Sequence, residues 1–256
     1  MPDWTARFSL TGRKALITGA SKGIGAEICA VFADAGADIV AVARDADGLA
    51  QVAEVVRQKG RRCLTIRAEL GDRDGPGLAA QQALAAWGTI DILVNSAAIA
   101  IIKPAPDLSV DDWDTTMAVN LRAPFLLAQT LAPAMIAQRW GKIINISSQT
   151  GVIAIDDHAA YAASKGGLNA LTISLCAEWA RHNVQVNAIC PTVILTPMGR
   201  KTWGPPEKSA PMIAATPARR FGEPVEVADM ALYLASPASG LVNGAIMMIE
   251  GGYSVV

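Results

Sequence analysis

The chain has 256 residues, enough for one α/β domain with a well-buried core, and carries 22 Lys and Arg against 23 Asp and Glu. A formal charge of -1 provides no broad basic field for nucleic acid or an anionic membrane, so the charge favours a small-molecule partner. The longest apolar stretch, residues 90–102, is interrupted by Asp91 and Asn95 and is shorter than a bilayer span. With no export signal evident near the N-terminus, we expect a cytoplasmic protein.

Strand-like and helix-like segments alternate along the whole chain. Helical periodicity separates seven short apolar or β-branched runs, Lys14–Thr18, Asp38–Ala43, Cys63–Ile66, Asp91–Val94, Lys142–Ile146, Gln185–Ile189 and Ala245–Ile249. Continuous apolar runs are typical of strands buried on both faces. The pattern predicts one domain over residues 1–256, an α/β Rossmann fold with a seven-stranded parallel sheet flanked by helices on both faces.

Local signals refine this outline. Ser109 with Asp112 is a capping-box pattern, and Pro224 opens a predicted helix over Pro224–Ala235. The segment 191–222 holds six prolines between two confident elements, which favours a substrate lid; the alternative is an irregular surface connection.

The cysteines carry no metal or disulfide pattern. Cys29, Cys63, Cys176 and Cys190 form no CxxC pair and have no nearby His at zinc spacing, so we expect reduced core residues and no metal site.

A glycine-rich turn follows the first strand. Thr18–Gly25 has the sequence TGASKGIG and opens a helix, an arrangement that lets backbone N–H groups approach a pyrophosphate. Its spacing is GxxxGxG rather than the common GxGxxG, so Ser21 and Lys22 can reach the adenosine side of a dinucleotide.

The end of the second strand bears on the choice of dinucleotide. The common pattern places an acid there for the ribose 2′-hydroxyl, whereas this strand runs into Arg44. Arg44, with Lys22 across the turn, would pair with a 2′-phosphate, which favours NADP over NAD. In the other interpretation Arg44 is a solvated charge and Asp45 binds the ribose, which would restore NAD.

A proton-transfer pair lies further along. Tyr161 and Lys165 are four residues apart, so a helix places them on one face. A phenol is a poor acid or base near neutrality unless a cation stabilises its phenolate, and Lys165 is such a cation. Ser148, after the fifth strand, can donate to a substrate oxygen.

This combination of residues resembles the short-chain dehydrogenase/reductase superfamily, from Gly12 to Tyr253. The matching segments are TGASKGIG, the NSAA of Asn95–Ala98, VNLRAPF around Asn120, IINISSQTG, YAASK, the VNAICPT of Val186–Thr192, and GAIMMIEGGY. The resemblance implies a nicotinamide-dependent oxidoreductase that interconverts a carbonyl and an alcohol, and a homotetramer.

The resemblance also implies residue roles. Asn120 would hold a water in a proton relay and Ser148 would polarise the carbonyl. Tyr161 would be the acid/base, and Lys165 would bind the nicotinamide ribose. With the glycine turn and Arg44, the cofactor set becomes Gly19, Ser21, Lys22, Gly23, Ile24, Gly25, Arg44, Glu69, Leu70, Asn95, Ser96, Ala97, Tyr161, Lys165, Pro191, Ile194 and Thr196. Glu69 stands where the family usually has Asp, and Thr192 where it usually has Gly.

Within the superfamily the chain is most similar to L-xylulose (dicarbonyl) reductases and related polyol dehydrogenases. That likeness places Gln149, His158 and Trp203, with Ser148 and Tyr161, around a ketose, polyol or small dicarbonyl substrate. The alternative roles are structural: Gln149 caps a turn, His158 starts a helix and Trp203 pins the lid. Two other functions stay open, a 3-oxoacyl-thioester reductase and an inactive cofactor-binding regulatory protein.

Overall fold

The computed structural model describes residues 4–256 and contains a parallel β-sheet in the order β3-β2-β1-β4-β5-β6-β7. The strands are β1 (Lys14–Thr18), β2 (Asp38–Ala43), β3 (Cys63–Arg67), β4 (Ile92–Asn95), β5 (Gly141–Ile146), β6 (Val184–Pro191) and β7 (Ile246–Ile249). The seven predicted strands and the predicted parallel pairing are confirmed. Residues 1–3 of the predicted domain lie outside the described residues.

Helices cover both faces of the sheet. They are α1 (Gly23–Asp34), α2 (Ala46–Gln58), α3 (Gly75–Trp87), α4 (Val110–Met117), α5 (Ala123–Ala137), α6 (Ala159–Trp179), α7 (Pro197–Trp203), α8 (Pro206–Ala215) and α9 (Pro224–Ala235). The apolar residues of α1, α2 and α9 pack on one face, and those of α3, α5 and α6 on the other. Within β2, Ile39 and Ala41 face the first layer, while Val40 and Val42 face the second. Burial on both faces explains the continuous apolar runs.

The predicted helix starts are confirmed. Ser109 Oγ accepts from the Asp112 N–H at 3.1 Å, and Asp112 Oδ2 accepts from the Ser109 N–H at 3.1 Å, which is the reciprocal pairing of a capping box. The helix over Pro224–Ala235 has the predicted bounds. No helix within residues 4–256 is both long and apolar enough to cross a bilayer.

The segment 191–222 is not an irregular connection. It contains α7 and α8, each of which begins at a proline that needs no N–H partner in the first turn. Its two ends are joined by backbone hydrogen bonds: Leu195 N donates to Gly222 O at 2.9 Å, and Gly222 N donates to Val193 O at 3.0 Å. The segment therefore leaves and rejoins the body at one place.

The strand order places a crevice at the middle of the sheet. From β1 the chain builds outward to β2 and β3, then crosses back to add β4 on the other side of β1. The loops that follow β1 and β4 therefore lead away from each other and leave a gap at the carboxyl ends of these strands. Ligands of parallel α/β sheets bind at such a gap.

Candidate active site

A cavity of about 340 Å³ opens at the carboxyl ends of the central strands. Of the site residues predicted from the sequence, all but Asn95 and Asn120 line it. They are Gly19, Ser21, Lys22, Gly23, Ile24, Gly25, Arg44, Glu69, Leu70, Ser96, Ala97, Ser148, Gln149, His158, Tyr161, Lys165, Pro191, Ile194, Thr196 and Trp203. The fold thus brings together residues that are far apart in the sequence.

The glycine turn between β1 and α1 packs closely against neighbouring backbone, which a side chain would prevent. A Cβ at Gly19 would lie 2.9 Å from Ala97 Cα, and a Cβ at Gly25 would overlap the carbonyl oxygen of Gly19. No side chain caps the N-terminus of α1, so its first N–H groups are free of a side-chain partner. Free N–H groups and the helix dipole fit the pyrophosphate of a dinucleotide.

The far end of the cavity carries an ion pair that the sequence did not predict. Arg44 Nη1 lies 3.0 Å from Glu69 Oε2, and both side chains are well exposed. Burial raises the pKa of Glu69, but hydrogen bonds from the Gly71 N–H and the Arg44 guanidinium lower it by more. The pKa of Glu69 therefore lies below its usual range. Asp45 caps α2 by accepting from the Gly48 N–H at 3.2 Å. Arg44, considered for a 2′-phosphate, and Asp45, considered for the ribose, are therefore both engaged with neighbours.

Ser148 follows β5 with its hydroxyl oxygen already engaged. Ser148 Oγ accepts from Thr150 Oγ1 at 2.9 Å and from the Thr150 N–H at 3.2 Å. Two accepted bonds use both lone pairs of the oxygen and leave its own hydrogen to be donated. Thr150 was not predicted from the sequence, although its spacing of two residues from Ser148 is the pattern of a side-chain-to-backbone turn.

Tyr161 and Lys165 lie in the first turns of α6, as predicted. Lys165 is buried, with Nζ donating to Ile146 O at 2.7 Å and lying 5.6 Å from the centre of the Tyr161 ring. Burial raises the pKa of Tyr161 to about 12, and the nearby Ser148 side chain offsets this only in part. Burial likewise lowers the pKa of Lys165 to about 8.

Burial dominates both groups: it favours the neutral phenol of Tyr161 and weakens the charge of Lys165. Lys165 Nζ lies 5.6 Å from the centre of the Tyr161 ring, and its role as the cation that stabilises the phenolate stays a prediction.

Asn120 lies in a π-helical turn, Ala118–Arg122, between α4 and α5. Its Oδ1 accepts from Ile99 N at 2.9 Å, and its Nδ2 donates to Ile99 O at 2.9 Å and to Ser164 Oγ at 3.1 Å. Both amide hydrogens are therefore used, and the residue does not line the cavity. The side chain fixes the loop after β4 instead of reaching toward a ligand.

Asn95 also lies behind the cavity wall. Its Nδ2 donates to Asn145 Oδ1 at 2.8 Å, and Asn145 Nδ2 donates to Thr172 Oγ1 at 2.9 Å. This buried chain ties β4, β5 and α6 together. Asn95 therefore supports the sheet beside the cavity without lining it.

Gln149 and His158 lie near Ser148 and Tyr161, and Trp203 lines the cavity from α7. Gln149 is 2% exposed, and its Oε1 has no hydrogen-bond partner among the described residues. His158 Nδ1 lies 2.5 Å from Asp156 O, and its ring meets that of Tyr161 edge-on with centroids 6.1 Å apart. Trp203 packs edge-on against Phe221, with ring centroids 6.5 Å apart.

Fold and cavity together define a class, the dinucleotide-binding α/β proteins with a Ser, Tyr and Lys set at the carboxyl edge of the sheet. Residues 19–254 match a family model described as enoyl-(acyl carrier protein) reductase. The chain belongs to the short-chain dehydrogenase/reductase family. This confirms the family resemblance noted in the sequence.

Relatives of known activity are similar over almost the whole chain. A D-threitol dehydrogenase of Mycolicibacterium smegmatis is 41% identical, covering 97% of this chain and 95% of the relative. An NAD-dependent glycerol dehydrogenase of Listeria innocua is 40% identical, covering 97% and 96%. Mouse (Mus musculus) L-xylulose reductase is 38% identical, covering 96% and 98%. This chain is an oxidoreductase of carbonyl and alcohol groups, in a family that binds nicotinamide cofactors.

A solved structure gives the same agreement in three dimensions. A gluconate 5-dehydrogenase from Burkholderia cenocepacia J2315, in complex with NADP and tartrate, matches with a TM-score of 0.94 and 36% identity. The match covers 99% of this chain and 100% of that one.

Proposed function

We propose that this protein is a dehydrogenase/reductase that interconverts an uncharged ketose or small dicarbonyl and the corresponding polyol, with Tyr161 as the acid/base and NADP(H) as the preferred cofactor. The observation that carries the proposal is the meeting of Ser148, Tyr161 and Lys165 in one cavity beside the glycine turn. The polyol and sugar dehydrogenases among its relatives support the substrate class.

The chemistry follows from the positions of the side chains. The nicotinamide, when bound, supplies or accepts the hydride. Ser148, whose side chain also hydrogen-bonds Tyr161, donates its hydrogen to the substrate oxygen, and Tyr161 gives that oxygen a proton in reduction or removes it in oxidation. A neutral buried phenol suits the donor role in reduction. Lys165 would stabilise the phenolate and would donate a hydrogen bond to the cofactor's ribose.

Asn120 has a supporting role in this proposal. Because both of its amide hydrogens are donated, to Ile99 and Ser164, we propose that a relay water is held by the main chain of the π-helical turn rather than by the amide. The side chain positions the loop that lines the cavity after β4.

NADP is proposed from the charges at the far end of the cavity. Lys22 is exposed there, and Arg44 contacts Glu69 through Nη1 alone, which leaves further N–H donors for a 2′-phosphate. Asp45 caps α2 in place of taking a ribose. The relatives include an NAD-dependent glycerol dehydrogenase and an NADP-bound gluconate 5-dehydrogenase. The proposal of NADP therefore rests on the charges of Lys22 and Arg44 in this chain.

The end of the cavity opposite Arg44 supports the proposal of an uncharged substrate. Around Gln149, His158 and Trp203, the described lining contains no arginine, and Lys165 is its one lysine. A carboxylate or phosphate substrate requires a dedicated cation, whereas hydroxyl groups need donors and acceptors such as the side chains of Gln149 and His158. We propose that Gln149 and His158 bind substrate hydroxyls and that Trp203 covers C–H surface.

The segment 191–222 is the proposed lid. Trp203, Phe221 and Met212 form a small apolar cluster with Ile155 and Tyr253 of the body, apart from the two main core layers. Because the backbone bonds between Val193–Leu195 and Gly222 hold both ends together, we expect α7 and α8 to move as a unit about that point.

A second candidate is a 3-oxoacyl-thioester reductase. The apolar side chains of Ile99, Ile102 and Met198 line the cavity and could cover an acyl chain, and the family model bears an acyl-carrier-protein description. A screen by nicotinamide absorbance with ketoses, polyols, dicarbonyls, a sugar acid and a 3-oxoacyl thioester separates the two. Activity confined to the thioester, or to the sugar acid, would overturn the proposed substrate.

The acid/base role is tested by Tyr161→Phe. We expect turnover to fall by at least about 10²-fold because the proton has no donor, with cofactor binding retained. Tyr233→Phe, whose ring packs near Phe8 and does not line the cavity, is the matched control. Full activity in Tyr161→Phe would refute the mechanism, and an inactive wild-type protein that binds cofactor would favour the regulatory alternative.

A further inference from the structure

The hydroxyl of Ser148 is oriented by one neighbouring residue. Thr150 places two donors on Ser148 Oγ, its side-chain hydroxyl at 2.9 Å and its backbone N–H at 3.2 Å. An oxygen that accepts two hydrogen bonds has no lone pair left for a third donor. Ser148 is therefore restricted to donating its own hydrogen.

We propose that Thr150 is a positioning residue that makes Ser148 a hydrogen-bond donor to the substrate oxygen. This inference rests on the proposed function, in which Ser148 supplies that hydrogen bond. The Thr150 and Ser148 hydroxyl groups then form a chain of two hydrogen bonds pointing at the reacting oxygen. Each bond in such a chain polarises the next, so the Thr150 hydroxyl strengthens the donation by Ser148.

The surroundings of Thr150 favour this role. The residue is 6% exposed, lines the cavity and lies in the single turn Gln149–Gly151. That turn is held independently of the Thr150 hydroxyl, because Gly151 N donates to Ser148 O at 3.0 Å and Asn169 Nδ2 donates to Gly151 O at 3.3 Å. Removal of the hydroxyl therefore leaves the turn in place.

The effect is expected on the chemical step. Negative charge on the substrate oxygen is greatest near the transition state. A better hydrogen-bond donor therefore lowers the activation barrier of the chemical step more than it tightens substrate binding. A neutral hydrogen bond contributes on the order of a fivefold to tenfold change in rate. We expect Thr150→Val, which keeps the shape and loses the hydroxyl, to lower kcat by about that factor with KM changed less than about twofold.

The experiment compares four single variants of the full chain, and the double variant Ser148→Ala with Thr150→Val, using NADPH and the best substrate of the screen. Thr150→Val and Thr150→Ala both lack the hydroxyl, and Thr150→Ser retains it. The fourth, Ser148→Ala, tests the proposed function itself. Thermal unfolding and NADPH binding, followed by fluorescence, are measured on each and are expected to match the wild type.

The inference is supported if both hydroxyl-free variants lose kcat, Thr150→Ser restores it, and Thr150→Val has no further effect in a Ser148→Ala background. Wild-type kcat in the hydroxyl-free variants, an equal loss in Thr150→Ser, or losses that add to Ser148→Ala would overturn it. Full turnover in Ser148→Ala would instead reject the proposed role of Ser148, so the two failures are distinguishable.

Discussion

The proposed preference for NADP depends on the positive charge of Arg44, and a substitution that reverses this charge tests it. We expect Arg44→Asp to lower the ratio of kcat/KM for NADPH over NADH by at least about tenfold, because a carboxylate repels the 2′-phosphate and accepts from a 2′-hydroxyl. Steady-state rates with both cofactors measure the change. Arg73→Asp makes the same change in charge at an exposed position that does not line the cavity. A wild-type preference for NADH would contradict the role of Arg44.

Tyr161 gives a directional pH dependence. Alcohol oxidation needs the phenolate, and burial favours the phenol by raising the pKa to about 12. Because the phenolate fraction grows with pH, we expect kcat/KM for oxidation to rise between about pH 6 and about pH 10, while that for carbonyl reduction stays level or falls. Initial rates in both directions test this. An oxidation rate that decreases across this range would argue against Tyr161 as the base.

At this scale the sequence predicted residue types better than their orientations. Ser148, Tyr161 and Lys165 were predicted from spacing and chemistry, and all three line the cavity. The direction of the Asn120 amide and the pairing of Arg44 with Glu69 depend on contacts across loops that spacing does not encode. Burial of Tyr161, which sets its pKa, is likewise a property of the packed fold.

Among the elements, α6 carries Tyr161, Lys165 and Asn169 on one face, four residues apart. Asn169 Nδ2 donates to Gly151 O at 3.3 Å, which joins this helix to the turn that follows Ser148. We expect Asn169→Ala to lower kcat several-fold because the distance between Ser148 and Tyr161 becomes less well fixed. Ser174→Ala, an exposed change on the same helix, is the control for kinetic measurement. Equal kcat in both variants would contradict this role of Asn169.

The elements also show where sequence patterns fail. Strands buried on both faces were predicted well because their apolar runs are unbroken. The short helices α7 and α8 were not predicted, because their prolines are also typical of irregular loops. The π-helical turn at Ala118–Arg122 has one more residue in each hydrogen-bonded ring than an α-helix, and no residue type in the sequence predicts it.

For the whole molecule, Lys142 predicts how stability varies with pH. Lys142 is 3% exposed at the start of β5, with Nζ donating to Ser239 Oγ at 2.9 Å. Burial, with a smaller repulsion from Arg13, lowers the pKa of Lys142 from 10.5 to about 8. The pKa of Lys142 is lower in the folded protein than in the unfolded chain. Below about pH 8 the charged lysine therefore lowers the free energy of unfolding, and this destabilisation disappears as the pH rises toward 10.5.

We therefore expect Lys142→Met to raise Tm at neutral pH by a few degrees, with the gain shrinking as pH approaches about 10. Ser239 Oγ keeps its hydrogen bonds to Leu234 O and Ser236 O, so the Lys142→Met substitution leaves the Ser239 hydroxyl with hydrogen-bond partners. Thermal unfolding at several pH values measures the difference, with the exposed change Lys208→Met as the control. A gain that grows with pH would show that the charge of Lys142 is not the cause.

The order of the strands separates the residues proposed to select the cofactor from those proposed to select the substrate. Arg44 and Glu69 follow β2 and β3 on one wing of the sheet, while Gln149, His158 and Trp203 follow β5 and β6 on the other. The side chains proposed to distinguish one cofactor from another share no loop with those proposed to face the substrate. If both proposals hold, evolution or a protein engineer can exchange the coenzyme without redesigning the substrate pocket, and can change the substrate while the coenzyme stays the same.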